Sequence, residues 1–291
     1  CVRDDAPPAE LTATLSAAAA LQPALRNLRD ELKARQTSAG IPASELDEEM
    51  RLAARLQRDF LPRRMPDVPP ARFGVLYRPA TWVSGDIYDL VRLDERHVGF
   101  YVADAVGHGM PAALLTMFIK KALPTKRIAG HSYRIVPPAE SLAELNAAIC
   151  EQDLSSCQFC TAVYCVLDTK DLVLTYARGG HPEPGLIRAD GAVELLNAPG
   201  SLLGVFAQEQ FTSHRVQLAP GDRLVLYTDG AEPALDCDPA ARQPSLQASL
   251  RRWADAGRDE MLLRLAERVD HQRPDGHGED DVTIVVMDVE A

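Results

Sequence analysis

From Phe73 onward the chain is a succession of short β-type runs divided by Gly, Asp and Pro. Val75 to Arg78, Ile87 to Leu93, Val98 to Ala103, Phe159 to Leu167, Leu172 to Ala177, Phe211 to Leu218, Arg223 to Tyr227 and Val282 to Met287 are rich in β-branched, aromatic and other apolar residues between turn formers, the signature of strands. Helical spacing is confined to Pro111 to Leu123, Ala139 to Gln152 and Asp259 to Val269, the last with Met261, Leu262, Leu265 and Val269 on one face. Strands arrive mostly in consecutive pairs, without a helical crossover between each, so the pattern predicts an α+β fold with antiparallel sheets rather than a parallel doubly wound sheet. With 291 residues, 46% of them hydrophobic and 25% charged, the chain can bury a substantial core, and disorder or a fibrous repeat is excluded.

The amino-terminal part has a different texture. Residues 1–43 carry Leu21, Leu25, Leu28 and Leu32 at alternating spacings of four and three, with Pro23 near the start and Gly40-Ile41-Pro42 at the end. That pattern suits a helical linker, the end of an upstream coiled coil, or an amphipathic helix packed on its own domain. In residues 44–66, Ser44-Glu45-Leu46-Asp47 resembles a capping box. Leu46, Met50, Ala53, Gln57 and Phe60 then continue the four-three spacing until Pro62, and Pro66, Pro69 and Pro70 form a connector to residues 67–291. Gln57 is the polar interruption of this stripe, and a buried polar residue fixes register at a cost in stability. Gln57 and Phe60 are therefore the candidate regulatory positions, and the helix is a candidate contact with a second copy.

The formal net charge of -11 disfavours nucleic acid and anionic lipid as partners. No apolar run reaches the ~18 residues of a spanning helix. Starting at Cys1 and lacking a signal-type hydrophobic region, the sequence is expected to be a cytoplasmic fragment of a longer protein. Cys1, Cys150, Cys157, Cys160, Cys165 and Cys237 are too uneven for a disulfide framework. The C-x-x-C of Cys157 and Cys160 has no second pair, so these thiols read as packing groups.

Several aspartates fall at strand ends beside Gly: Asp86 after Gly85, Asp104 in Asp104-Ala105-Val106-Gly107-His108-Gly109, Asp229 before Gly230, and Asp280-Asp281 before the last strand. A single Asp-Gly is usually a turn. Were these ends to converge, carboxylates ~4 Å apart would repel by about 4 kcal/mol per pair at an effective dielectric of 20, which cations would relieve. Four carboxylates match two divalent ions in charge, and oxygen ligands select Mg²⁺ or Mn²⁺.

The order and wording of the motifs resemble the metal-dependent PPM protein phosphatases, in particular their bacterial SpoIIE/RsbU-type branch. The resembling segments are LAARLQRDFLP (52–62), VSGDIYD (83–89), VADAVGHG (102–109), TAVYCVLD (161–168), ARGGHP (177–182), LYTDG (226–230) and DDVTIVV (280–286). The resemblance implies a four-layer αββα sandwich of two antiparallel sheets flanked by helices, with an N-terminal helical extension whose second helix acts as a switch. It implies metal ligation by Asp86, Asp104, the backbone carbonyl of Ala105, Asp229 and Asp280, with Asp104 bridging two ions, Mn²⁺ or Mg²⁺, and Asp281 beside them. Gly107 and Gly109 would let the backbone turn away beneath the metals, and His108 would hydrogen-bond a ligand from just behind it. A hydroxide bridging the ions would hydrolyse phosphoserine or phosphothreonine on a protein, by resemblance a STAS-type anti-sigma factor antagonist.

Three positions depart from the family pattern. Ser84 replaces a Gly, Val106 replaces a Ser, and the acidic residue after Asp229-Gly230 is Glu232, with Pro233 where Glu is usual. His181 reads as a turn residue and Arg178 as a solvated strand-end arginine. Two other functions suit the same fold: a catalytically silent interaction module, and a small-molecule phosphate hydrolase.

Overall fold

The computed structural model describes residues 43–130, 132–152, 158–235, 246–273 and 277–290. The Leu21 to Leu32 stripe, His131, Cys157 and Cys237 lie outside them. The elements in chain order are α1 (Ala43–Phe60), β1 (Ala71–Arg78), β2 (Asp86–Arg92), β3 (His97–Ala105), α2 (Met110–Ala122), β4 (Lys126–Ala129), β5 (Ser132–Ile135), α3 (Pro138–Glu151), β6 (Cys160–Asp168), β7 (Val173–Gly179), β8 (Gly185–Ile187), β9 (Val193–Leu195), β10 (His214–Gln217), β11 (Arg223–Tyr227), α4 (Glu232–Leu235), α5 (Leu246–Arg251), α6 (Arg258–His271) and β12 (Val282–Val289). Two compact units divide between Leu56 and Gln57, inside α1, and the second carries every strand.

That second unit holds two five-stranded sheets, ordered β1-β12-β11-β8-β9 and β10-β7-β6-β3-β2, and a separate β4-β5 hairpin. All named strand pairs are antiparallel. Helices α2 and α3 lie on the sheet containing β2, β3, β6 and β7, and α5 and α6 on the other. The result is the expected helix-sheet-sheet-helix layering.

The period of two along a strand decides which side chains meet between the sheets. On β12, Val285, Met287 and Val289 join the main core with Leu224 and Leu226 of β11, whereas Val282, Ile284 and Val286 join Val225 and Tyr227 in a second core against Met261, Leu265 and Val269 of α6. Phe73 and Phe100 meet edge to face at 5.2 Å.

The strands expected from the sequence all form, with ends displaced by a few residues. The β4-β5 hairpin and the three-residue β8 and β9 were not expected, because such short runs carry too few alternating positions to stand out. In α1, Gln57 is buried, but Leu46 and Phe60 of the same four-three stripe are exposed, so the stripe is not a continuous buried face.

Candidate metal centre

Asp86 opens β2 and stands in register with Asp104 near the end of β3, and Asp104 is in turn opposite Thr161 of β6. One rung of this sheet therefore aligns two of the predicted carboxylates. The facing sheet delivers the others from the ends of adjacent strands: Asp229 follows β11, and Asp280 and Asp281 precede β12. Gly230 is what allows this approach, because a β-carbon there would lie 2.1 Å from the Asp281 carbonyl oxygen.

Hydrogen bonds across the sandwich fix Asp86. Its Oδ2 accepts from the Thr228 hydroxyl at 2.8 Å and the Thr283 hydroxyl at 2.7 Å. Thr228 continues the inward face of Leu224 and Leu226, and Thr283 that of Val285 and Met287, which is why both reach across. The backbone N–H of Thr283 also donates to the Thr228 hydroxyl, at 3.0 Å. These threonines were missed in the sequence, where a β-branched residue in a strand reads as a strand former. Their position within two residues of Asp229 and Asp281 was the available signal.

Asp281 acts as a backbone clamp. It is 3% exposed, and its two oxygens accept from the N–H groups of Ala80, at 2.6 Å, and Gly85, at 2.7 Å. It thereby holds the residue before Asp86. From the other side, the buried Gln57 amide grips Ser84: its Nε2 donates to the Ser84 carbonyl at 2.7 Å, and its Oε1 accepts from the Ser84 N–H at 2.9 Å. Gln57 Nε2 also donates to the Thr116 hydroxyl of α2, at 3.1 Å. Phe60, the second candidate regulatory residue, makes no such link and is exposed.

The electrostatics reflect acids gathered at one edge. Burial, and then the charges of Asp104 and Asp281, push the Asp86 carboxyl well above the usual range, while its two threonine donors oppose the shift. Asp104 is pushed up to about 8 by burial and by Asp229, Asp280 and Asp281. Asp280 is raised too, chiefly by burial, and His108 opposes this. His108 itself is exposed on the loop where Gly107 and Gly109 take φ values of 86° and 77°, left-handed conformations that turn the chain into α2. Ala105 is fully buried, and its carbonyl faces Gly85.

Among the described residues, no group of three His, Cys, Asp or Glu side chains is close enough to hold an ion by itself. An open arrangement of this kind suits Mg²⁺ or Mn²⁺, since Mg²⁺ typically takes one or two carboxylates and keeps several waters. The donors are all hard oxygens, and the charged groups acting on the half-buried Asp104 are all acids, so the residues present fit divalent cations.

His181 and Arg178 are more deeply engaged than their sequence context suggested. His181 is 1% exposed, with Nδ1 at 2.8 Å from the Thr161 hydroxyl, and burial and Arg178 lower its pKa to about 3. The Arg178 side chain is mostly buried and donates to the carbonyls of Ala198 and His181.

Residues 94–290 match the family described as stage II sporulation protein E, SpoIIE. The chain belongs to the SpoIIE family. Its relatives include phosphoserine phosphatase RsbU of Bacillus subtilis, 28% identical over 254 residues that cover 87% of this chain and 73% of that protein. A solved structure of the RsbU and RsbW domains of a Mycobacterium tuberculosis protein aligns at TM-score 0.59 and 26% identity, covering 78% of this chain and 62% of that one. The solved SiaA-PP2C domain of Pseudomonas aeruginosa has the same fold, with TM-score 0.65 and 24% identity over 84% of this chain and 96% of that domain. No described helix is long and apolar enough to cross a membrane.

Proposed function

We propose that this SpoIIE-family chain is a metal-dependent protein phosphatase that hydrolyses phosphoserine or phosphothreonine on a partner protein, the class of substrate being a STAS-type anti-sigma factor antagonist. The observation that carries the reading is the Asp86-Asp104 rung, tied across the sandwich by Thr228 and Thr283 to the strand ends bearing Asp229 and Asp280. The likeness to the phosphoserine phosphatase RsbU and to a structure that joins RsbU and RsbW domains supports a partner-switching role.

Asp86, Asp104, Asp229, Asp280 and the Ala105 carbonyl would hold two divalent cations, Mn²⁺ or Mg²⁺. Bound there, such ions lower the pKa of water and draw charge from phosphoryl oxygens. The chain itself contributes position. Thr228 and Thr283 occupy one oxygen of Asp86 and so orient the other, while Asp281 and Gln57 fix the Ser84-Gly85 segment that leads into it. His181 is buried with its Nδ1 against the Thr161 hydroxyl, and burial lowers its pKa.

The same hydrogen bonds give the 43–60 helix a route to the site. Movement of Gln57 would carry Ser84 with it and shift Asp86, making this helix a switch. Its exposed Leu52, Leu56 and Phe60, spaced by four, support pairing with a second copy.

The test is hydrolysis of a phosphoserine peptide with Mn²⁺, with Mg²⁺ and with chelator. Metal-dependent release of phosphate that is lost in Asp104→Asn and Asp229→Asn is expected. Full activity in chelator, or in both variants, would refute the metal-dependent mechanism.

A further inference from the structure

A cavity of about 410 Å³ opens beside Asp104 and Asp229, and its walls include Arg178, Glu183, Leu195, Tyr227, Glu232 and Leu246. Tyr227 alternates with Leu226 and so points away from the space between the sheets. It is 4% exposed, and its hydroxyl has no hydrogen-bond partner among the described residues. The side chain is packed in the cavity wall, and its unpartnered hydroxyl is available to hydrogen-bond a group seated in the cavity.

The charge of the wall selects what that is. Arg178 commits Nε to the Ala198 carbonyl at 2.9 Å and Nη1 to the His181 carbonyl at 2.5 Å, and its Nη2 lies 3.8 Å from Glu183. The guanidinium is thus bound inward, and two carboxylates face one cation. Glu232 is exposed and has neither an ion pair nor a hydrogen bond among the described residues. Leu195 and Leu246 add apolar wall of the kind that the methylene stem of a long basic side chain covers.

We propose that this cavity is a substrate subsite that takes a lysine or arginine side chain close in sequence to the phosphorylated residue, with Glu232 and Glu183 as its specificity-determining groups. The assignment rests on the phosphatase reading and adds the local charge of the substrate.

The experiment measures kcat/KM in Mn²⁺ for synthetic phosphoserine peptides in which a single Lys, Ala or Glu is walked from three residues before to three residues after the phosphoserine. At one or two positions Lys is expected to exceed Glu by about tenfold, the scale of a partly exposed charge pair whose sign is reversed. In Glu232→Gln that ratio should shrink to about threefold or less, and in Glu232→Lys it should invert. A ratio between two peptides on the same preparation cancels any loss of folded protein. Hydrolysis with equal kcat/KM for Lys and Glu peptides at every position, or a preference that survives both Glu232 variants, would overturn the subsite while leaving the phosphatase reading intact. No metal-dependent hydrolysis of any peptide or of p-nitrophenyl phosphate would overturn the phosphatase reading and the subsite with it.

Discussion

Replacing Gln57 with Leu tests whether the helix reaches the carboxylates through Ser84. The amide satisfies both backbone groups of Ser84 and the hydroxyl of Thr116. Leucine fills a similar volume but leaves the Ser84 N–H and C=O without these partners, and each stranded buried group costs about 1–3 kcal/mol, so about 2–4 kcal/mol is expected after partial relaxation. For a domain of this size that corresponds to a fall in Tm of roughly 5–12 °C. The functional consequence is separable from this loss. Ser84 lies two residues before Asp86, and partners that orient ligands are typically worth about 10–100-fold in metal affinity. The assay is phosphatase rate against Mn²⁺ concentration at a temperature well below both melting transitions. The expected result is a midpoint raised about tenfold, with the rate at saturating Mn²⁺ restored to within about threefold. The exposed Arg58→Ala neighbour should retain the wild-type midpoint. A lower Tm with an unchanged Mn²⁺ midpoint would refute the coupling and leave Gln57 as a packing residue, and an unchanged Tm would refute the energetic contribution of its hydrogen bonds.

Three further outcomes follow from the site. Asp104 binds a proton more tightly folded than unfolded, since its pKa is raised from the ordinary carboxylate range up to about 8. In chelator this stability contribution is therefore present in acid and lost as pH rises towards 8, so Tm should fall more steeply between pH 5 and 8 in the wild type than in Asp104→Asn; equal slopes in a scanning measurement would count against the clustering of acids around Asp104. Thr283→Val removes a donor from the buried Asp86 and should raise the Mn²⁺ midpoint about tenfold, as read by the same titration, whereas an unaltered midpoint would show that Thr228 alone holds the carboxylate. Cys160 is fully buried and its thiol pKa is pushed up by burial, so Cys160→Ser should leave the phosphatase rate within about twofold, and loss of activity traceable to a released metal would contradict a packing role.

The strands and their turns were legible in the sequence because alternation is local: Val98 to Ala103 or Val282 to Met287 announces a strand whatever it pairs with. The aspartates at their ends were legible for the same reason, since Gly85-Asp86 and Asp229-Gly230 mark where a strand starts or stops. What the sequence could not specify is which of these ends share an edge, and on which face each side chain falls. Thr228 and Thr283 meet Asp86 across separations of 142 and 197 residues, and only their nearness in the chain to Asp229 and Asp281 sets them apart from other β-branched strand residues. Gln57 stood out as the polar break in an apolar stripe, but its partner, the backbone of Ser84, has no sequence signature. Tyr227, a strand residue by pattern, lines a cavity together with residues from distant parts of the chain such as Asp104, Arg178 and Leu246. Local periodicity thus determined the elements and the chemistry available at their ends, while register and sheet-on-sheet packing, which are non-local and fixed only when both partners are present, decided which groups act together.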